Sequence, residues 1–355
     1  MGKLRFICLA LCICIGLIAC TATDSGNLFD AGAKEDGFVP GQLSPDESYQ
    51  YGNMQKMPAG EFSRLGNDVL FTLISDGGNR LYSYDLTTGK VRLYCDDATC
   101  KHSSCVAGSI LWGLEVYQGK LYGINKSRQV VAVEGMELQP ITKGQIADYL
   151  HSNNKTYITT LDGALVELKE GNDELRIILE EYTGNRGTVF NDYLYATTSD
   201  SIIRVDLTAD SAIEELLVSN ASGITDGLHI YYADRKTYYL YRCDMDGNNA
   251  ELLLEQPVLP ASWNFDDEYF YYRLYTDHKL NKGEDCYDLY RFTKSDPSKI
   301  EKFATLPVPA YQVYTVPGTD ALFVTAYMRS DGENNDIYVV NRDGGQITRL
   351  EIPEY

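Results

Sequence analysis

Histidine and tryptophan are scarce in this chain, with four and two copies, and acidic residues outnumber basic ones by 51 to 31. The four histidines, His102, His151, His229 and His278, leave little material for a histidine-based triad or a metallohydrolase centre. Also missing are the G-x-S-x-G elbow, the H-E-x-x-H helix, the C-x-x-C-H haem site, the P-loop and the G-x-G-x-x-G turn. Their absence removes the commonest marks of hydrolase, NTPase and dinucleotide chemistry. A formal charge of −20 argues against nucleic acid, because a phosphate backbone would meet repulsion instead of counterion release. Acidity more simply keeps a tyrosine-rich chain soluble. The acids Asp266, Asp267 and Glu268 read as solvated turn residues, since a glycosidase pair needs carboxylates facing each other across a cleft. The run Asp244-Met245-Asp246-Gly247-Asn248 places its glycine too early for an EF-hand loop, and reads as a hairpin turn.

A long apolar stretch, ICLALCICIGLIA, stands close to the start, behind Lys3 and Arg5. That layout predicts a secretory signal over residues 1–19. Leu17-Ile18-Ala19-Cys20 is similar to the bacterial lipobox, which makes Cys20 the expected lipidation site and mature N-terminus. Acyl chains there would anchor the protein to a membrane, facing outside the cytoplasm. Removal of the leader leaves 29 basic residues against 51 acidic ones. Residues 20–52 are polar and punctuated by Gly and Pro, as expected of a flexible tether reaching roughly 30 Å. Residues around 49–57 would alternatively add a strand to the last repeat and close the ring.

From residue 53 onward the chain repeats itself. Residues 223–254, GITDGLHIYYADRKTYYLYRCDMDGNNAELLL, contain four β-prone runs separated by Asp, Gly and Asn turns. An apolar-aromatic pair after such a turn recurs at 67–71, 119–122, 154–157, 191–195, 227–231, 267–271 and 319–323. Spacings of about 35 to 52 residues suit four-stranded blades. Consecutive aromatics such as Tyr231-Tyr232 place large side chains on both faces of a strand, so both faces need cover. Sheets that must be covered on both sides stack around an axis. The expected fold is all-β, a propeller most simply of seven blades of four antiparallel strands, with six or eight as alternatives. Insertions at 96–106, 276–288 and 328–336 would project from the ends of the ring, where binding usually resides. Most of the 28 tyrosines are expected between blades, whereas Tyr275, Tyr287 and Tyr327, in or beside the insertions, are candidate binding aromatics.

Ile230-Tyr231-Tyr232-Ala233-Asp234, followed by Leu240-Tyr241-Arg242, is similar to the YWTD repeat of low-density-lipoprotein-receptor propellers. The chain resembles more closely bacterial lipoproteins carrying a propeller of that type. It departs in having Tyr232 at the Trp position and seven copies where that type has six. The resemblance implies binding or scaffolding at the cell envelope, with an envelope protein or glycan as partner, and supplies no catalytic residue. A glycan-active enzyme with carboxylates at the axis, or a solute-sensing accessory of an envelope signalling system, are the alternatives.

Five cysteines follow Cys20. Cys95, Cys100, His102 and Cys105 fall within eleven residues and form an accepted Cys3His zinc set. Export favours a disulfide between two of these thiols ahead of metal, with unlinked thiols third. No cofactor is otherwise required. Cys243 and Cys286 belong to adjacent expected blades, so either a bridge between blades or two isolated buried thiols would suit them.

Overall fold

The computed structural model describes residues 62–353 apart from 76–77, 96, 98, 103, 169–174, 186, 276–287, 317 and 327–335. Its strands form seven four-stranded antiparallel sheets, each built from four strands consecutive in sequence. They are blade 1 (62–93), blade 2 (110–140), blade 3 (146–179), blade 4 (188–219), blade 5 (221–254), blade 6 (264–305) and blade 7 (310–349). The seven-bladed all-β expectation is met, and each recurring apolar-aromatic pair falls on the second strand of its blade.

First strands form the inside of the ring. Those of blades 1 and 2, 2 and 3, and 6 and 7 lie against one another, and Thr188–Phe190 and Ala221–Thr225 are buried throughout. Fourth strands such as Glu214–Ser219 are largely exposed. Seven hydrophobic clusters occupy the seven spaces between adjacent blades. Period-two alternation divides each strand between two of them. Tyr231 packs toward blade 6, whereas its neighbours Ile230 and Tyr232 pack toward blade 4. Likewise Val69 and Phe71 face blade 7, and Leu70 faces blade 2.

The ring closes where blade 7 meets blade 1, and no strand is shared across that seam among the described residues. The fourth strand of blade 7 is its own Ile347–Arg349, paired with Ile337–Asn341. Residues 49–57, the alternative closing strand, lie outside the described residues. Packing holds the seam instead. Phe62 lies 4.8 Å from Tyr314 and 5.0 Å from Phe323 between ring centroids, and Arg64 donates to the Gly318 carbonyl at 2.7 Å.

Candidate metal centre

The connection from blade 1 to blade 2 carries the cysteine-rich segment. It leaves the outer strand Val91–Leu93 and enters a single helical turn, α1, at Val106–Ser109. Both ends are anchored. Leu93 and Ala107 belong to the seam cluster, while Tyr94 and Val106 pack into the cluster between blades 1 and 2. Cys95 and Cys105 stand directly beside those anchors, and both pack against the seam cluster. Between them the loop is shaped by local bonds. The Asp97 carboxylate accepts from the Thr99 amide at 2.8 Å and hydroxyl at 2.7 Å, and these bonds hold the Asp97 carboxyl below its usual range. The Cys100 amide donates to the Asp97 carbonyl at 3.1 Å. His102 then adopts a φ of 52°, in the left-handed region that L-residues enter against steric resistance.

This path brings the four side chains together. The ligand atoms of Cys95, Cys100, His102 and Cys105 all lie within 4.8 Å of one another, and each residue is half-buried. His102 Nδ1 stands 3.6 Å from Cys105 Sγ, and the His102 amide donates to Cys100 Sγ at 3.3 Å. Zinc bonds of about 2.3 Å to sulfur and about 2.0 Å to imidazole make a tetrahedron whose sulfur–nitrogen edge is about 3.5 Å. The residues therefore fit a mononuclear tetrahedral ion. All three sulfurs are thiols in the structure. Burial, with contributions from the Cys105 and Cys100 thiols, pushes the Cys95 thiol up to about 11.

Cys20, Cys286, Tyr287 and Tyr327 lie outside the described residues. Cys243 is a buried thiol in the cluster between blades 4 and 5, the face of its sheet away from blade 6; burial pushes it up to about 12. Tyr275 is half-buried and packs on Tyr238 at 5.1 Å between centroids.

Three further sets of residues join the blades and were not anticipated. The first corrects the expectation of a solvated turn, because Asp266 has 0% exposure. Its Oδ1 accepts from the Glu268 and Tyr269 amides at 2.9 and 2.7 Å. Its Oδ2 accepts from the Tyr271 hydroxyl at 2.6 Å and faces Arg342 of blade 7 at 3.4 Å. Asp226 repeats the pattern one blade earlier, with the Leu228 and His229 amides, the Tyr231 hydroxyl, and Lys294 of blade 6 at 3.5 Å. The common spacing D-x4-Y was the available signal. Burial depresses His229, which flanks this second turn, below its ordinary value.

The second set is an arginine clasp on the outer half of the ring. Arg204, Arg242 and Arg291, each on a third strand, pair with Glu215, Glu251 and Glu301 on the fourth strand of the same blade. Each also reaches the following blade, at the Asp246 carboxylate, the Lys294 carbonyl and the Arg342 carbonyl respectively. Blade 3 has the pair exchanged, with Glu167 on the third strand and Arg176 on the fourth, and Arg176 reaches the Leu207 carbonyl of blade 4. A register shift between third and fourth strands precedes the pair in all four blades. Such bulges increase local twist. The third set is Glu115 and His151 on the first strands of blades 2 and 3, joined at 2.8 Å through Nδ1 and at 3.0 Å through the His151 amide.

No protein-family model matches the chain, and no curated protein does. Solved structures do. The β-propeller domain of the Trilobed protease from Pyrococcus furiosus, described as having an open velcro topology, is 12% identical over 82% of this chain and 98% of that one, with a TM-score of 0.51. The β-propeller domain of Cps50 (Swd1) from Myceliophteria thermophila is 13% identical over 79% of this chain and 95% of that one, at 0.49. Virginiamycin B lyase from Staphylococcus aureus is 13% identical over 69% of this chain and 85% of that one, at 0.46. The likeness to the Trilobed protease domain supports the propeller fold, and at 12% identity it says nothing about activity.

Proposed function

We propose that the protein is a binding or scaffolding module of the bacterial cell envelope, held outside the cytoplasm by lipid on Cys20 and related to YWTD-like lipoprotein propellers. The observation that carries this reading is the order of parts: a basic-apolar leader, Leu17-Ile18-Ala19-Cys20 at its end, a polar stretch, and then a propeller beginning by Phe62. A disc on a tether presents the loops at one of its ends as the working surface. The chemistry of the buried acids supports binding over glycan hydrolysis. Glu115, Glu167, Asp226 and Asp266 are each tied to a histidine, arginine, lysine or tyrosine, and Asp148 accepts from the Tyr149 amide at 2.9 Å, whereas a hydrolytic pair has to face substrate across a gap. The partner expected is an envelope protein or glycan.

Metabolic labelling with an alkyne fatty acid, followed by fractionation, tests the anchor. The wild-type chain should carry label and sediment with membranes, and Cys20→Ser should carry none and become soluble. An unlabelled wild type, or a Cys20→Ser chain that stays in the membrane pellet until detergent is added, would reject the assignment. Cross-linking on intact cells then tests the role; turnover of chromogenic glycosides by the purified chain would replace it with the enzymatic alternative.

A further inference from the structure

We propose that Cys95, Cys100, His102 and Cys105 bind one zinc ion as a closed tetrahedral Cys3His site, and that the ion fastens blade 1 into the ring. The donor set selects the metal. Thiolates favour soft or borderline ions, and a single imidazole with three thiolates in a compact tetrahedron is a structural zinc set with no open position for substrate. A disulfide would join two of the sulfurs and leave the third thiol and the imidazole pointing at it, whereas an ion uses all four donors. On binding, three S–H protons leave to solvent, three thiolates and the neutral imidazole donate electron pairs to Zn2+, and the site carries one net negative charge. The His102 amide, already directed at Cys100 Sγ at 3.3 Å, is placed to stabilise that thiolate.

The location assigns the role. Arginine clasps hold the four interfaces from blade 3 to blade 7. Blade 1 is joined differently: to blade 7 by the aromatic seam and Arg64, and to blade 2 through Ser63 on the Leu114 carbonyl and Asn79 on the Leu111 carbonyl. The metal loop lies across this part of the ring. Its first and last cysteines pack on the seam cluster, and α1 inserts Ala107 into that cluster and Val106 into the next one. An ion bonded to Cys95 and Cys105 would therefore lock together the two chain segments that anchor both clusters. This inference does not depend on the lipid anchor, and its test reads the metal directly.

The full chain, purified under argon without chelator, should contain about one zinc per molecule by mass spectrometry. Its three loop thiols should resist alkylation until a chelator is added. Exchange with Co2+ should give the visible band of a tetrahedral ion and a thiolate charge-transfer band. His102→Ala and Cys100→Ser should each weaken metal binding by about tenfold or more. Should those variants fail to accumulate, chelation of the wild-type chain reads the same site. Chelation should speed amide exchange in blade 1 and α1 while leaving blade 5 unchanged. A disulfide among Cys95, Cys100 and Cys105 in the unreduced digest, copper in place of zinc, zinc below about a tenth of an equivalent, or unaltered exchange in blade 1 after chelation would each overturn the proposal.

Discussion

Asp266 is buried completely, and a carboxylate in that position is tolerable only when its lone pairs are filled. Two backbone amides and the Tyr271 hydroxyl donate to it, and the Arg342 guanidinium stands 3.4 Å from Oδ2 as its counter-charge. Burial, then the Asp266 charge, drives the Tyr271 phenol well above its ordinary value, so it remains a donor. Asp266→Ala strands those donors and should lower the unfolding free energy by about 3 kcal/mol or more. Asp210→Ala, at an exposed turn position in blade 4, should change it by less than about 0.5 kcal/mol. Equal losses in urea titrations of the two variants would refute the assignment. Sequence spacing identified the turn correctly but missed its burial, because Arg342 comes from the next blade and no local pattern announces it. The Cys95 to Cys105 segment was the opposite case. All four of its donors come from one loop, so residue types and spacing alone brought them together.

At the scale of elements, the turns between third and fourth strands serve as contacts between blades as well as reversals. Gly247, in the blade 5 turn, has a φ of 77°, and a Cβ there would sit 2.6 Å from the Leu217 carbonyl oxygen of blade 4. Gly344 repeats the arrangement in blade 7 against the Phe303 carbonyl of blade 6. Beside Gly247, Asp246 receives the Arg204 guanidinium. Gly247→Ala therefore meets both an unfavourable backbone region and a neighbouring carbonyl, and should destabilise by about 2 kcal/mol. Gly135→Ala also has a positive φ, but open space around its Cβ, and should cost about 1 kcal/mol. Chemical denaturation of the pair measures the difference; equal costs would mean that the blade 4 contact is unimportant. Second and third strands were legible because aromatic pairs following Asp, Asn or Gly are dense there. The clasps were not, since Arg204, Arg242 and Arg291 look like ordinary outward-facing strand residues until the neighbouring blade is in place. Inner strands as short as Asn264–Phe265 also carry too few residues for alternation to register.

At the scale of the whole molecule, the ring closes by packing between blades 7 and 1. Phe62, 3% exposed, stacks with Phe71 of its own blade and packs on Tyr314 and Phe323 of blade 7. Phe62→Ala should cost about 3–5 kcal/mol. It should also raise amide exchange in blades 1 and 7 ahead of global unfolding. Phe292→Ala, equally buried between blades 5 and 6, should cost a similar amount without selectively loosening those two blades. Identical exchange maps for the two variants would show that the seam is no weaker than other interfaces. Blade number was legible from repetition, because each copy needs its neighbours to cover it. How the circle closes was not, since any of several segments has enough β propensity to complete a last sheet.

The first inner strand begins at Phe62 and the chain's last described residues, including Leu350 and Ile352, pack at that same seam. Tension applied through the polypeptide upstream of Phe62 would thus be delivered to the junction of blades 1 and 7, bypassing the arginine-bound sector. Under load the disc would part like a split washer, at that junction, while blades 3 to 7 moved as one piece.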